Sequence, residues 1–275
     1  MKLIESAERI ELDDYNKYLL EETTEKYEDY LKEIGCFDSR HLKYYLDTIK
    51  HHEIANNHRT ESVSQFMITF YSQAMEEDSL TKLIELLNSR TELKREDIKN
   101  LHRILMQGTD CEIGSEDYRQ TDNKFVGAFN ADGSKRVDYM PIPCDTIEES
   151  MDKVIAMLNA TETDNAFINP FIIHGLISVM QPFDDGNTRT SRLLQHGKIW
   201  TSTNTLYGTS FEQPTIYLSE NYLLSRRQYR ELLNKLAIEE SNEAWNAWLK
   251  YNLFRVEEQL NYLGNNVAQL KRRLR

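Results

Sequence analysis

The sequence predicts an all-α fold interrupted by one short β-hairpin. Apolar residues recur three and four positions apart along most of the chain, the stripe of amphipathic helices that share a core. Helix breakers are few, Gly 10 and Pro 5 among 275 residues, and most fall in the middle. One central stretch reads instead as two β-like runs about a turn. With 40% hydrophobic residues the chain can bury a full core.

"YNKYLLEETTEKYEDYLKEI" and "SRHLKYYLDTIKHHEIANNHRTESVSQFMITFYSQAM" carry the helical stripe through the first part of the chain. "KREDIKNLHRILMQG" repeats it and stops at Gly108, a residue suited to a C-cap. In "DYRQTDNKFVGAFNADGSKRVDYMPIPCD" the runs Lys124 to Phe129 and Val137 to Met140 flank Asp132 and Gly133, the pattern of a hairpin. "DTIEESMDKVIAMLNA" returns to helix with Asp145 or Thr146 as its cap, and "NPFIIHGLISVM" places Pro170 near a helix start. Further helices end in "NEAWNAWLKYNLFRVEEQLNYLGNNVAQLKRRLR". No repeat, low-complexity linker or composition break divides the chain, so it reads as one domain with a helical N-terminal extension.

A net charge of −12 opposes phosphate backbones and argues against nucleic acid as a partner. The basic tail "LKRRLR" reads as the end of the last helix, where cations complement the dipole. The opening "MKLIESAERIELDDY" has too short an apolar run for a signal peptide, and no window approaches the roughly 18 apolar residues of a membrane span. A cytoplasmic protein with no membrane partner is expected, with delivery into another cell left open. Cys36, Cys111 and Cys144 are odd in number and lack metal-ligand spacing, so they read as packed thiols.

The stretch "VMQPFDDGNTRTSRLL", Val179 to Leu194, carries the chemistry. Gly186, Asn187 and Thr188 stand where the chain must turn sharply, and Gly and Asn tolerate positive φ, so backbone N–H groups can converge into an anion nest. The helix beginning near Thr188 adds its positive end, and Arg189 and Arg192, three apart, add two planar forks for phosphate oxygens. Asp185, just before the turn, is placed to hold a Mg²⁺ bridging those phosphates. Phe183 points into the core as an anchor.

Residues Gln181 to Arg192 resemble the HPFx(D/E)GNxRxxR signature of Fic-domain proteins, which transfer AMP from ATP to a protein hydroxyl. "LHRIL" (Leu101 to Leu105), His174, "YRQTDNKFVGAF…YMPIP" and "PTIYLSENY" extend the likeness over roughly 90–255. The resemblance implies a mainly helical Fic fold over that range, an extension over 1–89 and a closing helix over 256–275. It implies ATP and Mg²⁺ as cofactors, with Asp185 on the metal, Asn187 and Arg189 on the α- and β-phosphates, and Arg192 on the γ-phosphate. Phe125, Val126 and Gly127 would lie in a flap that binds the target protein, whose Ser, Thr or Tyr hydroxyl is the acceptor. Tyr229 falls where relatives place aromatic residues near adenine. A homo-oligomer is compatible with the sequence, which does not name the target.

The departure is Gln181. The family's histidine there takes the proton of the attacking hydroxyl, and an amide has no comparable basicity. The chain is therefore either a trapped form of a transferase or a variant that binds nucleotide without fast transfer; Asp184 and His174 are the other conceivable bases. Relatives resembling the death-on-curing toxins move a phosphate instead, but carry Lys where this chain has Thr188. "NNHRTES", Asn56 to Ser62, resembles the family's inhibitory helix at about 50–62, with Glu61 matching and Asn57 and Ser62 departing. Glu61 would pair with Arg192 and keep it from the γ-phosphate.

Overall fold

The structure, a computed structural model, describes residues 2–59, 70–89, 92–107, 117–129 and 132–274. Within them are eleven α-helices and one two-stranded antiparallel sheet. The order is α1 (Lys2–Glu8), α2 (Asp14–Gly35), α3 (Ser39–Arg59), α4 (Phe70–Asn88), α5 (Arg95–Met106), β1 (Val126–Phe129), β2 (Lys135–Tyr139), α6 (Ile147–Asn159), α7 (Ile168–Met180), α8 (Asn187–Leu206), α9 (Ser219–Leu224), α10 (Arg226–Glu239) and α11 (Asn242–Arg273). No helix of the described residues is long and apolar enough to cross a membrane.

Every residue of α7 from Pro170 to Met180 is buried. A helix apolar all round must be enclosed on all sides, and α7 accordingly packs against α1, α6, α8, α10 and α11. Its start is held by Asn165, whose Oδ1 accepts from the N–H groups of Phe167 and Ile168 at 3.0 and 2.8 Å; Pro170 is the third helical residue. α8, buried from Arg189 through Trp200, runs beside it and rests on α3, α4 and α5.

The N-terminal helices share this core. Asn16 Nδ2 donates to Asn246 O and Oδ1 at 2.9 and 2.8 Å, and the buried Tyr27 hydroxyl meets the hydroxyls of Thr203 and Thr215 at 3.0 and 2.6 Å. The expected break at 255/256 falls inside α11, which runs unbroken from Asn242 to Arg273 and ends in Lys271, Arg272 and Arg273 at the carbonyl end of the dipole.

Three local expectations need correction. The hairpin strands are Val126–Phe129 and Lys135–Tyr139, not Lys124 to Phe129 and Val137 to Met140. Lys124 leaves the strand because its ammonium is drawn to the loop before α8. Pairing slips by one residue between Val126 and Gly127, and a Cβ at Gly127 would lie 1.9 Å from the Arg136 carbonyl oxygen, so this crossing admits only glycine. Thr146 stands at the N-cap of α6, one of the two positions expected, but it does not cap with its side chain: a 3₁₀ turn over Cys144–Thr146 precedes the helix, and the Thr146 hydroxyl donates back to Pro143 O at 2.8 Å. Cys36 is exposed at the end of α2 and so is not a packed thiol, whereas Cys144 is half-buried and packs against the core as expected; Cys111 and Gly108 lie outside the described residues.

Candidate active site

The loop between α7 and α8, residues 181–186, is bounded by two left-handed residues. Gln181 has φ 52° and ψ 60°, and Gly186 has φ 68° and ψ 6°. Proline at 182 disfavours continued helix at Gln181, and a left-handed non-glycine residue there costs about 1–2 kcal/mol. Hydrogen bonds offset the cost: Gln181 N–H donates to Ile177 O at 3.1 Å and its side-chain Nε2 to Ser178 O at 2.6 Å, covering two carbonyls at the helix end. At Gly186 a Cβ would lie 2.4 Å from Met106 Sδ and 3.1 Å from His102 Cε1, so α5 excludes any side chain from beneath the turn.

Asn187 is helical rather than left-handed, contrary to the turn expected there. Its side chain closes the loop on itself, accepting from Phe183 N–H at 2.8 Å and donating to Phe183 O at 2.9 Å and Gln181 Oε1 at 3.1 Å. Both ends of the Gln181 amide are thereby engaged inside the loop. Phe183 is fully buried as the anchor, its ring stacked on His102 at 3.7 Å with 7° between planes. Asp184 and Asp185 stand exposed at the tip.

The N-cap of α8 is Gly186, which has no side chain to cap the first turn. The helix's N-terminal N–H groups, with the dipole behind them, therefore form the positive end of the site. Arg189 is 6% exposed, with Nη2 3.1 Å from Met106 Sδ, and Arg192 is fully enclosed. Thr188 is half-buried, and its carbonyl accepts from the Ser191 hydroxyl at 2.8 Å; Ser191 Oγ also meets Ser178 Oγ at 2.8 Å, tying α7 to α8. The Thr190 hydroxyl donates to Gly186 O at 3.0 Å and so accepts from His102 Nδ1 at 2.9 Å, which sets the His102 tautomer. Burial, helped by the Arg189 guanidinium, lowers His102 to about 3.

The hairpin meets the loop at its root. Arg119 N–H donates to Pro182 O and Arg119 Nε to Gln181 O, both at 2.9 Å, and Lys124 Nζ donates to Phe183 O at 2.9 Å and to Asp184 O. Phe125 and Val126 are half-buried and Gly127 exposed, with Lys135 Nζ 4.8 Å over the Phe125 ring.

Residues 92–196 match the family model for the Fic/DOC family. The chain carries a Fic/DOC domain. Its fold is similar to that of Fic-1 (residues 134–508) from C. elegans, with a TM-score of 0.64 at 15% identity, covering 93% of this chain and 73% of that one. A Fic-domain-containing signaling protein from Bacteroides thetaiotaomicron gives 0.62 at 15% identity, covering 90% and 96%. A Fic family protein from Desulfovibrio desulfuricans gives 0.56 at 17%, covering 93% and 76%. No curated protein matches the chain.

The matched segment spans α5, the hairpin, α6, α7, the loop and the first half of α8. It brings together Gln181, Asp185, Gly186, Asn187, Thr188, Arg189 and Arg192, and joins to the loop, through Arg119 and Lys124, the root of the hairpin that carries Phe125, Val126 and Gly127. Two residues considered for the site lie elsewhere. His174 is sealed in the core with Nε2 2.9 Å from the Tyr229 hydroxyl, and burial, then the Arg192 charge, pushes its pKa well down. Tyr229 is buried among His174, Tyr222 and Trp248 instead of lining a cleft. Glu61 and Ser62 lie outside the described residues. Sequence reading passed over Arg119, Lys124 and His102 as contacts of the loop. Their only signal was a cationic or imidazole side chain in segments already likened to the Fic domain, with no spacing that links them to residue 181.

Proposed function

We propose that this chain is of the protein AMP-transferase lineage: it binds ATP with Mg²⁺ at the loop 181–192 and takes a Ser, Thr or Tyr hydroxyl of a target protein as acceptor. The observation that carries this reading is the Gly186 turn. It opens α8 on a left-handed glycine, beside the exposed Asp185 and ahead of the buried Arg189 and Arg192. Planar guanidiniums suit bidentate hydrogen bonds to phosphate oxygens.

One exposed carboxylate beside a helix start that suits phosphate fits Mg²⁺, which favours one or two carboxylates plus phosphate oxygens; Asp185 would hold it, and it would supply positive charge to offset that of the phosphates. The α8 amides and Arg189 would orient the α- and β-phosphates, with Arg192 behind them toward the γ-phosphate. Transfer forms a bond from the acceptor oxygen to the α-phosphorus and breaks the bond to pyrophosphate, while the hydroxyl proton must go to a base. Gln181 offers none, so transfer is slow.

That deficiency favours a second reading, a nucleotide-binding module without catalysis, supported by the Gln181 amide being engaged with Ser178 O and Asn187 Nδ2. Both readings require the nucleotide site. Calorimetry with ATP and Mg²⁺ should show Arg189→Ala weakening binding by about tenfold or more, the size of one charged hydrogen bond; equal affinity in both proteins would sink the placement. Glu61→Gly tests the proposed brake. In a Gln181→His background it should raise labelled-AMP incorporation above that of Gln181→His alone, and equal incorporation would dispose of a Glu61–Arg192 pair.

A further inference from the structure

We propose that Arg119 is a positioning residue that locks both roots of the hairpin to the phosphate loop, so that the hairpin registers whether the loop is occupied. Its side chain is 1% exposed. Nε donates to Gln181 O at 2.9 Å, Nη1 to Thr121 O at 3.0 Å and to the Asp122 carboxylate at 3.2 Å, and Nη2 to Ile142 O. Thr121 and Asp122 lie on the chain entering the hairpin, and Ile142 on the chain leaving it. Asp122 Oδ1 also accepts from Cys144 N–H at 2.6 Å, a second staple between the two roots. Only a planar guanidinium has rigidly arranged donors that reach three carbonyls in different directions; an ammonium is a point donor.

The contacts also set the orientation of the loop. The carbonyls of Gln181, Pro182, Phe183 and Asp184 accept, in turn, from Arg119 Nε, Arg119 N–H and, for the last two, Lys124 Nζ. In a trans peptide the N–H points opposite the C=O. Holding the Phe183 and Asp184 carbonyls toward the hairpin root therefore turns the N–H groups of Asp184 and Asp185 the other way. Residues 119–124 thus hold the nest in shape, and any load on the loop reaches the hairpin through the same bonds.

The occupancy part rests on the nucleotide site proposed above; the coupling itself does not. Hydrogen exchange separates them, read at 126–129, 135–139 and 183–186 in the wild-type chain, Arg119→Lys and Arg119→Gln, each with and without saturating ATP and Mg²⁺. Without nucleotide, Arg119→Lys should speed exchange of hairpin and loop together by about tenfold, the loss of one charged hydrogen bond, with α11 amides unchanged. With nucleotide, hairpin amides should gain protection in the wild type and not in Arg119→Lys. Wild-type exchange rates in the hairpin of Arg119→Lys, or nucleotide protection retained there, would overturn the proposal. Faster exchange throughout the chain, α11 included, would also overturn it by marking Arg119 as merely structural. If Arg119→Gln fails to fold, Arg119→Lys, which keeps the charge, decides alone. Absence of nucleotide binding by the wild type defeats the functional reading, and the nucleotide-free arm still decides the coupling.

Discussion

Gln181→His should raise AMP incorporation from labelled ATP by about 10²–10⁴-fold, the contribution of a positioned general base. The backbone accepts the change, because histidine is enriched in the left-handed conformation that residue 181 adopts. A partner for the new ring is in place: Ser178 O, which now receives the Gln181 amide at 2.6 Å, can receive an imidazole N–H and leave the other nitrogen as the base. The carbonyl end of α7 favours the imidazolium formed when that nitrogen takes the proton. Incorporation should appear on the chain itself and on proteins of a lysate. Equal, background-level labelling by both forms, while both bind ATP, would refute the AMP-transferase reading and leave the nucleotide-binding module.

Acid should destabilise the fold well before carboxylates titrate, and the buried histidines set the window. His102 is lowered to about 3 and His174 well below its ordinary 6.5, each chiefly by burial. The unfolded chain takes up these protons as pH falls through about 6.5, whereas the folded chain refuses them. Stability is therefore complete above that pH and is lost as pH falls from about 6.5 toward 3. Each group contributes about 1.4 kcal/mol per pH unit, so moving from pH 7.5 to 5.5 should cost about 2.5–3 kcal/mol. His196 is also lowered to about 3 by burial and by Arg192, but the Glu53 carboxylate 3.4 Å from its Nδ1 works in the opposite direction, and it is left out of that figure. Urea unfolding at the two pH values measures the difference, and His102→Gln should remove about half of it. A flat profile would mean that these imidazoles are protonated inside the fold.

The sequence by itself determined the helices, the hairpin and the loop, because each is written in neighbouring residues. The three-and-four spacing specifies α2, α5 and α11. The Asp132-Gly133 turn specifies a hairpin. Gln181 to Arg192 carries a turn, a carboxylate and two arginines within a few residues, so its likeness to the Fic signature could be read directly. Tertiary structure alone decided how those parts are used. Arg119 and Gln181 stand 62 residues apart, and His102 and Thr190 stand 88 apart. No periodicity spans such separations. Asn187 was legible as a turn residue, but whether its amide faced a ligand or the loop depended on where Phe183 and Gln181 were carried by the packing of α5 and α7. The same holds for His174 and Tyr229. A histidine on an apolar helix is neutral core or reactive site according to what surrounds it, and the Trp248 and Tyr222 rings that enclose this one come from distant helices. Cys36 shows the converse: hydrophobicity favours burying a thiol, but the end of α2 leaves this one in water.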